Sequence, residues 1–306
     1  MSRKLTILAL SLLLWTSACS VASIFSLTPT PTPYIYPTAE TPLVPALTVD
    51  ALRNAAYTLP NFTGDLFSYQ LTDGKYTLGD PTVTGYVEVT LPDTYAFGDL
   101  NQDGVNDAAV LLAENFGGTG VFVSVNAVLN EGGQPRHAAS TMIDDRPQIG
   151  NLDIRDGEIY LEAIVHAFDD PACCPELSVT RSFKLNNTSL MLVRATTRLS
   201  TGQERAITID SPSDDTEVRG DLIITGSVTI APFENTLTYR VYNEQGNELS
   251  VGPIMVSAAD FGAPGTFTFT LDTNTFPKGR ARIVIADLSA ADGSVLALDS
   301  VEVIVQ

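Results

Sequence analysis

The sequence predicts a mainly β protein, in which an antiparallel meander with one short helix, closed as a sandwich or a barrel, is followed by a second β-sandwich. Apolar and polar residues alternate with the two-residue period of a half-buried strand in one segment after another, residues 86–91 among them. Turn-forming dipeptides separate such segments, and Asp156-Gly157 and Asn186-Asn187 each lie between two alternating runs. Successive hairpins of this kind predict antiparallel sheets.

A single helix is predicted at the start of the first domain. Thr48 is a suitable N-cap, and Leu52, Ala55 and Ala56 follow at spacings that place them on one helical face. From there to about residue 198 the chain is patterned as strands and turns. We therefore expect the first folded domain to span residues 48–198.

The strands of this first domain differ in how far they are buried. Residues 108–114 are apolar at nearly every position, which predicts a strand covered on both faces. Residues 120–130 are followed by a Gly-Gly turn at 132–133, which predicts another hairpin. The glycine cluster at residues 117–120 lies between these strands and is interpreted as a tight turn rather than as a phosphate-binding loop.

The second predicted domain covers residues 206–306 and contains seven short strand patterns separated by polar turns. Seven strands in roughly 100 residues are typical of an immunoglobulin-like sandwich. The segments ITIDSPSDDTEV, GDLIITGSV, GTFTFTLD and DGSVLALDSVEVIV resemble the immunoglobulin-like domain of bacterial spore germination proteins. That resemblance implies an extracytoplasmic module with a binding or structural use.

Aromatic residues alternate with polar ones in this second domain. We interpret them as strand core, with an aromatic platform for carbohydrate as the alternative. They are Tyr239, Tyr242, Phe267 and Phe269.

Residues 1–18 have the parts of a secretory signal peptide: Arg3 and Lys4, an uncharged apolar run, and small residues before Cys19. The run is shorter than the roughly 20 apolar residues of a membrane span. The segment TSAC resembles a bacterial lipobox, except that Thr16 replaces the usual aliphatic residue. The resemblance implies an exported lipoprotein that is anchored to a membrane by lipid on Cys19 and faces the extracytoplasmic side. A cleaved signal with an incidental cysteine is the alternative.

Residues 19–47 are rich in threonine and proline. Proline lacks the amide donor and fixes φ, so alternating Thr-Pro favours an extended, semi-rigid chain over a helix or a sheet strand. We interpret this segment as a tether between the lipid anchor and the first domain.

The composition restricts the partners. With 36 acidic and 17 basic residues the formal net charge is −19. Binding to nucleic acid through phosphates requires clustered Lys and Arg, so a nucleic-acid partner is not expected. The same charge disfavours anionic lipid headgroups, and membrane contact is expected through the acyl chains alone.

The clearest ligand motif is the acidic segment GDLNQDGVNDAAVLL, residues 98–112, which resembles the calcium-loop strands of FG-GAP repeats. Calcium prefers six to eight oxygen ligands, and Gly104 allows the sharp turn that such a loop needs. The expected ligands are Asp99, Asn101, Asp103, the carbonyl of Val105, and Asp107. Val110 stands where an EF-hand has its bidentate Glu, and the loop runs directly into an apolar strand, so a structural clamp is expected. A polar turn that binds nothing is the alternative.

The segment from residue 52 to residue 112 also resembles a recurrent domain of bacterial surface lipoproteins.

A second cluster comprises His166, Asp169, Asp170, Cys173 and Cys174. Adjacent cysteines in an exported protein can form a vicinal disulfide, and such strained disulfides tend to be labile or regulatory. Two plain thiols, or a metal or redox site built from these side chains, are the alternatives.

No catalytic set stands out. The chain has two histidines, His137 and His166, and it contains no G-x-S-x-G elbow and no H-E-x-x-H helix. We therefore expect a non-catalytic envelope module with an unknown protein or glycan partner. The alternatives are a hydrolase that acts on polysaccharide or cell wall through a carboxylate pair, and a redox or metal-handling lipoprotein that uses Cys173 and Cys174.

Overall fold

The computed structural model describes residues 44–60 and 64–306. The predicted signal peptide, Cys19 and nearly all of the predicted tether lie outside the described residues. Strands make up 60% of the structure and helices 3%, and the sheets are almost wholly antiparallel. The predicted mainly β class, with one short α-helix, is therefore confirmed.

The α-helix begins as predicted but ends early. It spans Val49–Arg53 (α1), and the Thr48 hydroxyl accepts a hydrogen bond from the Ala51 amide at 3.1 Å, as an N-cap does. Ala55 and Ala56 lie beyond the end of the helix, and Ala56 is an exposed strand residue, so the placement of both on the helical face was wrong. From Ala56 onward, burial alternates with the strand period because the next residues cover the first sheet. The hairpin after α1 consists of β1 (Ala56–Pro60) and β2 (Leu66–Gln70).

The first sheet has the order β3-β4-β6-β7-β8, with β5 paired to the same edge of β6 as β4. Its strands are β3 (Lys75–Leu78), β4 (Val87–Thr90), β5 (Tyr95–Gly98), β6 (Asp107–Asn115), β7 (Phe122–Glu131) and β8 (Gln134–Asp145). Gly132 and Gly133 both have positive φ in the β7–β8 turn, which confirms the predicted hairpin.

Strand β6 is buried on both faces, as its apolar run predicts. Val110 and Leu112 pack with the β1–β2 hairpin and α1, whereas Ala109 and Leu111 face the second sheet. Because successive side chains of a strand point to opposite faces, this one strand supplies two separate apolar cores.

The second sheet is a meander of β9 (Gln148–Arg155), β10 (Glu158–Val165), β11 (Leu177–Asn186) and β12 (Ser189–Arg198). Asp156 and Gly157 form the β9–β10 turn with φ of 51° and 79°, as the dipeptide predicts. Residues of β10 and β11 pack against β6 and β7 in one apolar cluster. The meander is therefore closed as a sandwich, with α1 and the β1–β2 hairpin on the outer face of its first sheet.

The C-terminal strands form an immunoglobulin-like arrangement. One sheet has the order β14-β16-β19-β18, and the other has the order β18-β17-β20-β21, with β15 parallel to the end of β21. Strand β18 belongs to both because its first part pairs with β17 and its last part with β19. The strands are β13 (Glu204–Arg205), β14 (Ile207–Ser211), β15 (Thr216–Val218), β16 (Asp221–Val228), β17 (Thr236–Asn243), β18 (Glu248–Ala258), β19 (Gly265–Asp272), β20 (Gly279–Leu288) and β21 (Val295–Val305).

The four aromatic residues predicted as strand core pack within or against apolar clusters of this half. Phe267 is buried, and Tyr239 stacks on Phe269 with ring centroids 5.1 Å apart beside the same core. Tyr242 packs against a smaller cluster around Ala195 and Leu298. The interpretation as strand core is confirmed for Phe267, and the other three are partly buried against these clusters.

The two predicted domains share a sheet. Strand β12 pairs with β21 at Arg194–Asp299 and Ala195–Leu298, which continues the meander into the C-terminal half. Arg205 forms a largely buried ion pair with Asp287, with an N–O distance of 2.5 Å. Residues 43–306 accordingly form one compact unit, and the domain boundaries stay a prediction. Within the part of the chain that the structure describes, no helix combines the length and apolarity that crossing a bilayer requires.

Glu114 is a buried carboxyl near the end of β6. Glu114 is only 2% exposed, and its Oε2 has no hydrogen-bond partner among the described residues. Burial disfavours the charged form and raises the pKa of Glu114 from its ordinary 4.5 to about 7.

Replacing Glu114 with Gln should flatten the pH dependence of stability. The wild-type folded state holds a proton that the unfolded state releases between pH 4.5 and about 7. The contribution of this carboxyl is therefore complete below pH 4.5 and lost as the pH rises through 7, on the order of 3 kcal/mol. Urea denaturation between pH 4 and pH 8 should show this fall in the wild type and much less of it in Glu114→Gln.

Glu217→Gln, at an exposed strand position, is the matched control and should keep the wild-type profile. Identical profiles for Glu114→Gln and the wild type would show that another group carries the pH dependence.

Candidate functional site

The loops of the first half lie at two ends of its sandwich. We call one the junction end, which carries residues 99–106 and the β7–β8 and β9–β10 turns, and the other the distal end, which carries residues 116–121 and 166–176. The junction end meets the C-terminal half, because Gln102 lines a cleft of about 390 Å³ together with Lys184, Arg280 and Glu302. The candidate calcium loop and the two adjacent cysteines are therefore at opposite ends.

The predicted calcium loop folds as a compact turn around Asp99. Oδ1 of Asp99 accepts hydrogen bonds from the amides of Gln102 at 2.6 Å and Asp103 at 3.2 Å, and Oδ2 accepts from Gly104 at 2.8 Å. Gln102 and Gly104 have positive φ, which lets the chain reverse tightly. Three backbone amides thus converge on one carboxylate.

Asn101 and Asp103 complete the turn. The side-chain Nδ2 of Asn101 donates to Asp103 Oδ2 at 2.9 Å, and the backbone amide of Val105 donates to Asp103 Oδ1 at 2.8 Å. The structure therefore brings together Asp99, Asn101 and Asp103 and adds the backbone of Val105. Carboxylate, amide and carbonyl oxygens are the ligands that calcium prefers, so the chemistry of this set fits the ion.

Asp107 lies apart from this exposed turn. It is fully buried, its Oδ2 accepts from the Leu100 amide at 3.0 Å, and its Oδ1 accepts from the Asn130 amide at 2.9 Å. Burial raises the pKa of Asp107, and the two amide hydrogen bonds oppose that rise. The residue thus fastens the loop to β7. Across residues 44–60 and 64–306, no three or more His, Cys, Asp and Glu side chains are grouped as a metal site, and calcium binding stays a prediction.

The distal loop that contains the cysteines is held by other residues of the predicted cluster. Asp170 Oδ2 accepts from the amides of Ala167 at 2.9 Å and Glu176 at 2.8 Å, which closes the loop. Cys173 and Cys174 are both exposed, and their sulfur atoms are joined as a vicinal disulfide. A disulfide offers no thiolate to a metal, because thiolate is the ligand form.

Both histidines are engaged in structural contacts. His166 Nδ1 lies 2.8 Å from Asp144 Oδ2, and this hydrogen bond raises the pKa of His166. His137 Nδ1 accepts from the Thr58 amide at 3.3 Å, and Nε2 lies 3.1 Å from Asn126 Oδ1. Burial lowers the pKa of His137 to about 4, so it is neutral at pH 7.

Sequence reasoning missed a recess on the outer face of the second sheet, which we call the β10–β12 trough. Its volume is about 530 Å³, and a neighbouring recess of about 210 Å³ shares its central residues. Three arginines, three glutamates and one aspartate line it, together with Tyr160: Arg155, Asp156, Glu158, Glu162, Arg194, Arg198 and Glu204. The signal was the polar residues at every second position of β10, which are indistinguishable from an ordinary solvated face.

A known protein family matches part of the C-terminal half. Residues 206–294 match the family model of the immunoglobulin-like domain of bacterial spore germination, which confirms the resemblance seen in the sequence for that part of the chain. No curated protein matches the chain.

Among solved structures, the chain is similar to the extracellular domain of a one-component system from B. thetaiotaomicron. The identity is 10% and the TM-score is 0.21, over 82% of this chain and 46% of that chain. The chain thus spans less than half of that structure, and a TM-score this low does not establish a shared fold.

Replacing Asp107 with Asn should destabilise the fold even without calcium. Asn has a single side-chain oxygen, so its amino group would face the amide of Leu100 or Asn130 and leave a buried donor unpaired. Such a loss costs about 1–3 kcal/mol, which urea denaturation in a chelator would measure. Asp103→Asn, on the exposed turn, should change stability by less than about 1 kcal/mol. Equal effects of the two substitutions would contradict the role assigned to Asp107.

Proposed function

We propose that this chain is an exported lipoprotein that acts as a non-catalytic binding or structural module of the cell envelope. The observation that carries the proposal is the match of residues 206–294 to the immunoglobulin-like domain of bacterial spore germination, on strands that have an immunoglobulin-like order. Loops cluster at the two ends of an immunoglobulin-like sandwich, where they are available for binding. The first half is joined to this one through a shared sheet.

The site geometry supports a role without catalysis. A Ser–His–Asp mechanism would need a histidine that can accept a proton from a serine. His137, on β8, is hydrogen-bonded to the Thr58 amide and to Asn126. His166 pairs through Nδ1 with Asp144, as a triad histidine would, but its Nε2 is buried and has no hydrogen-bond partner in the described part of the chain. Neither histidine is therefore paired with a serine hydroxyl among the described residues.

In this proposal, lipid on Cys19 anchors the chain and residues 19–47 act as its tether. The first folded strands then follow directly on α1, whose cap is Thr48. The net charge of −19 leaves the acyl chains as the source of membrane affinity.

Replacing Cys19 with Ser should release the protein from membranes. Wild-type protein is expected in the membrane pellet, resistant to high salt, extractable with detergent and labelled by a fatty-acid analogue. Cys19→Ser should lose the label and nearly all of the pelleted protein, and Cys173→Ser is the matched control that should keep both. Salt-extractable wild-type protein without label would overturn the anchor.

We further propose that the turn of Asp99, Asn101 and Asp103 binds calcium as a structural clamp. Asp99 and Asp103 carry the charge, and the hydrogen bonds from backbone amides hold their oxygens in place before an ion arrives. Preformed oxygen ligands lower the ordering cost of binding.

Calcium should therefore raise the melting temperature relative to chelator. A ligand that binds only the folded state at 100 times its Kd stabilises by about 2.7 kcal/mol. Differential scanning calorimetry in 2 mM calcium and in EGTA tests this, and Asp103→Ala should abolish the shift whereas Asp260→Ala, at an exposed turn, should not. Equal melting temperatures in calcium and EGTA would contradict the clamp.

A further inference from the structure

The β10–β12 trough is a polar recess that crosses three neighbouring strands. Register places two rows of side chains on the same face: Tyr160, Ser182 and Arg194 in one row, and Glu162, Thr180 and Thr196 in the next. Strands are about 4.8 Å apart, so each row runs roughly 10 Å across the sheet. The smaller recess extends it because both contain Glu162, Thr196 and Glu204.

The charges in the trough nearly balance. Three arginines lie among four carboxylates, those of Asp156, Glu158, Glu162 and Glu204, in a chain whose net charge is −19. A polyanion would meet the carboxylates, and a polycation would meet the guanidinium groups. An uncharged ligand that both donates and accepts hydrogen bonds suits this surface best.

The trough is also preorganised. Tyr160 donates to Glu162 at 2.6 Å, and the Arg155 guanidinium lies 3.9 Å from the centroid of the Tyr160 ring. Thr196 donates to Glu204 at 2.7 Å. Side chains held in this way lose less conformational entropy on binding, and the amphipathic Tyr160 adds apolar contact.

The recess distinguishes this face from an ordinary solvated sheet surface. Ser182 is 6% exposed at its floor, and Glu158 lies at its edge with a pKa that burial raises. Polar groups that are partly removed from water gain more from a ligand that restores their hydrogen bonds.

From these observations we propose that the β10–β12 trough binds a neutral polysaccharide segment. Its hydroxyl groups would hydrogen-bond to Glu162, Glu204 and Arg198, and a sugar ring would contact Tyr160. The inference rests on the proposed binding function and specifies its partner as a glycan.

Isothermal titration with uncharged hexasaccharides (cello-, xylo-, malto- and chito-oligosaccharides) tests the proposal on the full chain without its signal peptide. At least one of these sugars should bind with a Kd below 1 mM. Glu162→Gln should raise that Kd about tenfold or more, which corresponds to about 1.4 kcal/mol of binding free energy. Tyr160→Ala should weaken the binding of the same sugar. Glu248→Gln, an exposed ion-pair residue of the C-terminal half, is the matched control and should stay within about twofold of the wild type, since an exposed pair contributes little.

Absence of binding to all four sugars, or binding that the two trough variants leave unchanged, would overturn the proposal. Salt-sensitive binding of dextran sulfate or polylysine in place of neutral sugars would overturn it too, because it would show a charged partner. Release of reducing ends from a bound sugar would keep the trough as a glycan site but overturn the non-catalytic function. The lipid anchor at Cys19 is tested by membrane fractionation, and its outcome does not depend on whether the trough binds a glycan.

Discussion

The double burial of β6 is the constraint on which the first half of the protein depends. Its alternate residues face α1 and the β1–β2 hairpin on one side and the second sheet on the other. Loss of one large residue there would open a cavity in one core while weakening the strand that supports the other, and buried Leu→Ala changes cost about 2–5 kcal/mol. The order of the remaining strands follows from covering both faces of this strand.

The two ends of β6 show how a buried carboxyl can be accommodated. At its start, Asp107 accepts hydrogen bonds from two backbone amides and fastens the candidate calcium loop to β7. At its other end, Glu114 has one oxygen without a hydrogen-bond partner in the described part of the chain, and burial moves its pKa close to neutrality. The difference follows from hydrogen bonding to the charged form, which partly offsets desolvation at Asp107, whereas at Glu114 desolvation alone shifts the pKa.

The shared sheet fixes the position of the first half relative to the immunoglobulin-like strands. Pairing of β12 with β21 removes two exposed strand edges over a short stretch, and edges left open invite association with other chains. The Arg205–Asp287 pair and the cluster of Ala195, Val284 and Leu298 seal the same junction. The candidate calcium loop and the β10–β12 trough both belong to the first half of the protein. A partner bound in the trough would therefore have a defined orientation relative to the immunoglobulin-like strands.

By itself, the sequence determined the strands, their hairpins and the helix cap, because alternation, turn dipeptides such as Asp156-Gly157 and the Thr48 hydroxyl act over a few residues. It also predicted the acidic turn in which Asp99, Asn101 and Asp103 come together. Only the tertiary structure decided that Ala56 leaves the helix, that Asp107 is buried against Leu100 and Asn130, and that β12 meets β21. The rows of the β10–β12 trough likewise depend on register between separate strands. Local patterns set which residues share a face, and long-range packing decides what that face meets.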